Sequence, residues 1–178
     1  MFKIFYPYEY VKNVFSIDYD KLYGKGYRGL IFDIDNTLVH HGDDSTDEVD
    51  ELFKYIQQIG FKTIILSNNS EERVKRFLKN INSLYIYEAK KPATLNYLKA
   101  IEKLGLKKEE VAVIGDQIFT DIWGANKSGI PSILVEYLRK ENETKIGKKR
   151  QIEKIILMFY KRNKACQHRI GNIVKEEV

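Results

Sequence analysis

The sequence predicts an α/β domain built on a doubly wound parallel sheet. Short apolar runs rich in β-branched residues alternate with longer amphipathic segments from residue 28 to residue 137, which is the rhythm of strands joined by crossover helices. Glycines close the amphipathic segments, and polar residues follow several of the apolar runs. The chain has 178 residues and is 43% hydrophobic, which suits one domain with one continuous core.

Five apolar runs are expected to be strands, with helices in the intervals. The runs are "RGLIFDID", "FKTIILSNNS", "LYIYEA", "EVAVIGDQ" and "PSILVEY". The segment "TDEVDELFKYIQQIG" has apolar residues at helical spacing, with Thr46 or Asp47 as the N-cap and Gly60 as the stop. The segment "KKPATLNYLKAIEKLG" has Pro92 near its start and Gly105 at its end. Helices are also expected over "EERVKRFLKNI" and "FTDIWGANKSG".

Two further segments flank this core of residues 28–137. Residues 1–27 carry weak helical signals and are expected to form an N-terminal helical extension. Residues 138–164 are expected to form a basic amphipathic C-terminal helix, followed by a tail over residues 165–178. The net charge of +5 is concentrated there, because residues 137–164 contain ten Lys or Arg and only three Glu.

Cysteine usage and hydropathy predict the compartment. The one cysteine, Cys166, cannot form an internal disulfide, and no cluster of Cys and His offers a zinc site. There is no uninterrupted apolar stretch of about 18 residues, and the N-terminus does not have the pattern of a cleaved signal peptide. We therefore expect a cytoplasmic protein.

Polar residues at the ends of the predicted strands mark a candidate site, because ligands of open α/β sheets bind beyond the carboxyl ends of the strands. The groups expected to meet there are Asp33 and Asp35, the run Ser67-Asn68-Asn69, Lys91, and Gly115-Asp116. Carboxylates converging from two strands would repel one another unless a divalent cation neutralised them, and hard oxygen ligands favour Mg²⁺. A hydroxyl and a lysine beside them would suit the oxygens of a phosphoryl group.

Four short motifs resemble those of the haloacid dehalogenase superfamily of phosphotransferases. "DIDNT" at 33–37 is similar to its first motif, "LSNN" contains the serine of the second, and "KKP" contains the lysine of the third. "GDQIFTD" at 115–121 matches a form of the fourth. The surrounding sequence resembles the YqeG-type phosphatases of subfamily IIIA. The resemblance implies a Rossmann-like fold and a phosphatase activity.

This resemblance implies a separate catalytic or metal-binding role for each of the acids. Asp33 would be the nucleophile that forms an aspartyl-phosphate, and Asp35 would protonate the leaving oxygen and then activate water. Mg²⁺ would be bound by the Asp33 carboxylate, the Asp35 backbone carbonyl and Asp116, with Asp121 supporting the metal shell.

The same resemblance assigns the phosphate-binding residues. Ser67 and Lys91 would bind the phosphoryl oxygens, and Asn68 would help through its backbone or amide. Lys91 is preferred over Lys90 because it directly precedes Pro92. Thr37 is expected to hydrogen-bond the turn and to keep Asp35 oriented.

The intervals between the motifs predict an open site. Only "HHGDDSTD" separates the first strand from its helix, and the interval from Ser67 to Lys91 is filled by a helix and a strand, so neither can hold a cap domain. His40 and His41 are expected to lie in an exposed loop without a metal or base role. An open site suits a large substrate, such as a protein, a nucleic-acid end or a lipid headgroup.

The C-terminal segment bears on the substrate. In "GKKRQIEKIILMFYKRN", Ile152, Ile155, Ile156 and Phe159 form one helical face flanked by basic residues, a pattern typical of helices on anionic membranes. Packing of this face on the sheet is the alternative. The YqeG-type sequences are similar to phosphatases of phosphatidylglycerophosphate, which makes this lipid the leading substrate, with peripheral contact at the inner face of a membrane. The alternatives are a soluble phosphatase of sugar phosphates, nucleotides or phosphoproteins, and a non-enzymatic RNA- or ribosome-binding module, although nucleic acid is not the expected partner.

Overall fold

The computed structural model, which describes residues 2–139 and 147–176, confirms the predicted parallel α/β sheet. Six strands pair in the order β1-β6-β5-β2-β3-β4, and every pair is parallel. The strands are β1 (Glu9–Val11), β2 (Gly29–Phe32), β3 (Lys62–Leu66), β4 (Leu84–Ile86), β5 (Val111–Gly115) and β6 (Ser132–Val135). The chain runs outward from β2 through β3 and β4, then crosses to β5 on the other side of β2.

Helices cover both faces of the sheet. They are α1 (Tyr19–Gly24), α2 (Asp47–Ile59), α3 (Glu71–Phe77), α4 (Thr94–Leu104), α5 (Trp123–Ser128) and α6 (Lys148–Arg162). Side chains alternate across a strand, so Leu30 and Phe32 of β2 pack with α1, α2 and α3, whereas Ile31 packs with α4 and α5. The two apolar layers bury β2 on both faces of the sheet.

The ends of α2 follow from its sequence. The Thr46 hydroxyl accepts a hydrogen bond from the Val49 N–H, and three acids occupy the first turn, where they interact favourably with the helix dipole. Gly60 ends the helix at φ 114°, a left-handed conformation that favours glycine. The predicted cap and stop are therefore those of the structure.

The N-terminal segment differs from the helical extension expected over residues 1–27. It contains β1, which pairs with β6 and adds a sixth strand at the edge of the sheet, together with α1 and two short 3₁₀ turns. With three residues, β1 is too short to give a period-two signal, and it includes the charged Glu9. That carboxylate is buried because the backbone N–H groups of Ile170 and Gly171 and the ring of His168 bind it.

The C-terminal segment forms α6 from residue 148, and residues 140–146 of the expected helix lie outside the described residues. The packed face of α6 is Glu153, Ile156 and Tyr160 rather than the predicted apolar face. Of that predicted face only Ile156 is buried, because the polar contacts of Arg150 and Glu153 with the core set the rotation of the helix. The tail then returns to the N-terminal segment, where Ile173 is fully buried.

The centre of the core predicts a large stability effect for one aromatic residue. Phe53 of α2 is 1% exposed, and its ring lies 5.1 Å from the ring of Phe32. We expect Phe53→Ala to lower the free energy of unfolding by about 3–5 kcal/mol, since it leaves a cavity against the sheet. Urea denaturation measures this. Gln58→Ala, on the exposed side of the same helix, is the control, with an expected change within about 0.5 kcal/mol. Equal effects of the two substitutions would contradict the assigned core.

Candidate active site

The carboxyl edge of the sheet carries a pocket of about 190 Å³. Asp33 directly follows β2, Ser67 directly follows β3, and Asp116 directly follows β5. Because these three strands are adjacent and parallel, their following residues meet at one edge. The pocket is lined by Asp33, Asp35, Asn36, His41, Ser67, Asn68, Asn69, Lys91, Gln117 and Thr120.

Three predicted acids come together beside this pocket. Carboxylate oxygens of Asp33, Asp116 and Asp121 lie within 4.8 Å of one another. Asp121 reaches the cluster from a π-helical turn, Ile118–Ile122, where its carboxylate accepts a hydrogen bond from the Gln117 N–H at 3.0 Å. Gly115 permits this approach, because a Cβ there would lie only 2.4 Å from the carboxyl carbon of Asp121.

Lys91 is the cation inside the site. Its ammonium lies 2.6 Å from a carboxylate oxygen of Asp33 and 2.7 Å from one of Asp121, and its side chain is 4% exposed. Burial disfavours the charge, but Asp121 and Asp33 raise the pKa of Lys91 above its usual value. Lys90, by contrast, is exposed. The structure thus places Lys91, the predicted lysine of the pair, against the acids.

Burial opposes ionisation of the clustered acids. It raises the pKa of Asp33 to about 6, although the charge of Lys91 acts in the other direction. It likewise raises the pKa of Asp116 to about 8, against the charge of Arg150. The two cations, Lys91 and Arg150, do not balance the three carboxylates, so the cluster can accept a further positive charge. Its donor set, oxygen atoms at close range, fits a hard divalent cation such as Mg²⁺.

The carboxylate of Asp35 lies apart from this cluster and faces α3. It accepts hydrogen bonds from the Asn69 amide at 2.8 Å, the Arg73 guanidinium at 2.9 Å and the Gly42 N–H at 3.2 Å. Burial opposes its charge, but the bonds from Asn69 and Gly42 and the charge of Arg73 together hold the pKa of Asp35 below its usual value. Asp35 lines the same pocket as Asp33 and has its own set of partners.

Thr37 does not orient Asp35 as expected. Its hydroxyl lies 3.3 Å from Asp33 Oδ2 and 3.2 Å from Asp116 Oδ1, and it can donate to either. The chain turns back after Asp35, so that residue 37 lies over the acids at the ends of β2 and β5. Thr37 therefore connects the nucleophile candidate to the acid from the neighbouring strand.

The predicted phosphate-binding residues have different surroundings. Ser67 is fully buried, and its hydroxyl accepts bonds from the backbone N–H and the amide of Asn69. The Asn68 side chain is engaged with the backbone of Lys91, accepting from its N–H at 2.7 Å. Asn68 thus fixes the segment that carries Lys91.

The sequence alone predicts no role in the site for Arg73, His41 or Arg150. It places Asn69 at the site without a specific role. Asn69 and Arg73 bind Asp35, and the ring of His41 lies 3.2 Å from Asp35 although its side chain is 76% exposed. Arg150 reaches the Asp116 carboxylate from α6. Asn69 is expected at this edge of the sheet with Ser67 and Asn68, but nothing local distinguishes Arg73 or Arg150 from other helical basic residues.

The described residues contain no inserted domain over the site. Residues 40–46 connect the Asp35 turn to α2, and α3, a 3₁₀ turn and β4 fill the interval between Ser67 and Lys91. Among residues 2–139 and 147–176, no helix is both long and apolar enough to cross a bilayer.

Comparison with known proteins gives one family match and related phosphatase sequences. The family model described as haloacid dehalogenase-like hydrolase matches residues 40–129. The chain is 39% identical to the probable phosphatase YqeG of Bacillus subtilis (strain 168), over 90% of this chain and 94% of that protein. It is 29% identical to phosphatidylglycerophosphate phosphatase 1, chloroplastic/mitochondrial, of Arabidopsis thaliana, over 88% of this chain but only 47% of that longer protein.

Solved structures show the same fold. A crystal structure of an uncharacterized protein from Listeria monocytogenes serotype 4b superposes with a TM-score of 0.55, at 19% identity, over 76% of this chain and 99% of the other. The family match and the similarity to YqeG extend this likeness from the fold to the sequence. The chain therefore belongs to the haloacid dehalogenase-like hydrolases, as a phosphatase related to YqeG.

Proposed function

We propose that the protein hydrolyses phosphomonoesters through a phosphoaspartate on Asp33, with Mg²⁺ as cofactor. The observation that carries the proposal is the position of Asp33, which lines the pocket while one of its carboxylate oxygens is held by Lys91. A lysine at this distance can bind the oxygens of an incoming phosphoryl group and stabilise the charge that moves onto them.

The reaction has two steps. A carboxylate oxygen of Asp33 attacks phosphorus, the bond from phosphorus to the ester oxygen breaks, and that oxygen takes a proton from Asp35. Water then attacks phosphorus and gives a proton to Asp35, the bond from phosphorus to the Asp33 oxygen breaks, and inorganic phosphate leaves with the Asp33 carboxylate restored. The low pKa of Asp35 suits the second step, and the negative charge of a bound substrate would raise that pKa for the first.

The remaining residues would bind the cation and the phosphoryl oxygens. Asp33 and Asp116, with the Asp35 backbone carbonyl, would hold Mg²⁺, and Asp121 would support them. When bound, the ion would offset the negative charge of the acids and of the phosphoryl group. Ser67 and the Asn68 backbone would complete the contacts to phosphate beside Lys91.

The nucleophile assignment is tested by Asp33→Asn. We expect no measurable Mg²⁺-dependent hydrolysis of an aryl phosphate, because an amide cannot form the phosphoenzyme. Acid quenching with labelled substrate should trap a covalent phosphate on the parent protein and none on the variant. Asp47→Asn, an exposed acid in the first turn of α2, is the matched control and should retain full activity.

Thermal unfolding shows whether the Asp33→Asn protein is folded. Substantial turnover by the folded variant, or equal labelling of both proteins, would refute Asp33 as the nucleophile. Activity of the parent protein after thorough chelation would refute the metal role.

We further propose that the substrate is phosphatidylglycerophosphate at an anionic membrane. The Arabidopsis relative carries this lipid in its name, and the absence of a cap over the described site leaves room for a substrate whose tails stay in the bilayer. The exposed side of α6 carries Ile152, Ile155 and Phe159, each more than half exposed, and its exposed charges are all basic. Apolar and basic groups together match an anionic bilayer surface.

The membrane proposal is tested by Phe159→Ser. Phe159 is 51% exposed on α6, so the change removes apolar area that would enter the bilayer while the packed face is unaltered. We expect about tenfold weaker cosedimentation with anionic vesicles and a parallel loss of phosphatidylglycerophosphate hydrolysis. The control is Leu95→Ser, which removes an exposed apolar side chain, 61% exposed, from α4.

Each other outcome would favour an alternative. Equal hydrolysis of small phosphate esters and of the lipid, unaffected by Phe159→Ser, would contradict the lipid assignment and indicate a phosphatase of soluble substrates. Absence of any turnover, with RNA binding intact in Asp33→Asn, would indicate a non-enzymatic module.

A further inference from the structure

Arg150 of α6 reaches the acid cluster from the helix that follows the last strand of the sheet. One of its guanidinium nitrogens contacts the Asp116 carboxylate directly, and the other donates to the Asp116 backbone carbonyl at 2.6 Å. Arg150 lies beyond residues 40–129, the region that matches the family model. The contact is therefore a feature of this chain's C-terminal helix.

The guanidinium is fixed on its own side as well. Glu153, one helical turn later, accepts a hydrogen bond from Arg150 at 3.1 Å and another from the Phe119 N–H at 3.2 Å. The Tyr137 ring lies 4.7 Å from the guanidinium carbon. With a side chain only 17% exposed, Arg150 is held in one place by contacts that do not involve Asp116.

Arg150 contacts Asp116 without lining the candidate catalytic pocket. It lines a neighbouring groove of about 290 Å³ between α6 and the end of β6, and Asp116 forms part of the wall of that groove. Arg150 is not among the residues that line the pocket of Asp33 and Lys91. Thr37 contacts the other carboxylate oxygen of Asp116, so the plane of this carboxylate is defined by two partners.

We propose that Arg150 is a positioning residue for the hydrolysis, which orients the Asp116 carboxylate as a ligand of the catalytic cation. The inference rests on the proposed metal role of Asp116. Groups that hydrogen-bond a metal ligand from behind fix its direction, and their loss typically lowers metal affinity about tenfold to a hundredfold. A guanidinium can span the carboxylate and the carbonyl of one residue, whereas an ammonium is a point charge. The helix α6 then contributes to the active site by orienting a ligand of the cation.

The test is calorimetric titration of the full chain with Mg²⁺, which measures binding without turnover. We expect Arg150→Met to weaken Mg²⁺ binding about tenfold or more, and Arg150→Lys to weaken it as well, by less. Lys149→Met is the matched control, since it removes an exposed positive charge from the adjacent position and should leave the affinity unchanged. Thermal unfolding in the absence of metal identifies variants that have lost the fold.

Three results would overturn the proposal. The first is an unchanged Mg²⁺ affinity in Arg150→Met. The second is tighter Mg²⁺ binding in Arg150→Met, which would make Arg150 a competitor of the cation. The third is full Mg²⁺ affinity in Arg150→Lys, which would make the positive charge alone sufficient. Asp116→Asn separates this failure from failure of the metal assignment. If Asp116→Asn weakens binding while the Arg150 variants do not, only the role of Arg150 is refuted, and if Asp116→Asn has no effect, the metal role of Asp116 fails first.

Discussion

The close approach of three carboxylates at one end of a parallel sheet is the constraint on which the site depends. Asp116 and Asp121 are buried and Asp33 is half-buried, and buried ionised acids are costly unless they are paired. Lys91 neutralises part of the charge from one side and Arg150 from the other. The remaining imbalance of charge is the physical basis of the proposed divalent cation, and the parallel strands that precede Asp33 and Asp116 bring these acids to one edge of the sheet.

The two cationic side chains beside the acids, Lys91 and Arg150, come from different parts of the chain. Lys91 stands at the entry to α4 and is held by Asn68, so it belongs to the α/β core. Arg150 belongs to a helix that follows the last strand. The helix α6 therefore has two different sides. Arg150 on its inner side contacts Asp116, and Phe159 on its outer side is exposed. Under the proposed function, this one helix would both contact the membrane and orient a ligand of the cation.

Much of the fold and the acid cluster could be predicted because their signals are local. The apolar run before Asp33, the cap at Thr46 and the stop at Gly60 each act within a few residues, and parallel strands bring their polar ends together whatever the details of packing. The partners of the acids could not be predicted in this way. Whether Thr37 contacts Asp35 or Asp33 depends on how the turn closes, and the contacts of Arg73 and Arg150 depend on how α3 and α6 dock. The strand β1 was not predicted either, because its three residues give no local signal and it is recognised by its pairing with β6.

In the proposed mechanism, Asp33 and Asp116 bind one Mg²⁺ while Asp33 carries the phosphoryl group. A crystal structure of the protein grown with Mg²⁺ and beryllofluoride, which mimics a phosphoryl group on a carboxylate, tests it most directly. The proposed mechanism predicts beryllofluoride on Asp33, with Lys91 beside it, and one Mg²⁺ bound by the carboxylates of Asp33 and Asp116. Beryllofluoride on another residue, or Mg²⁺ bound away from Asp116, would contradict the mechanism.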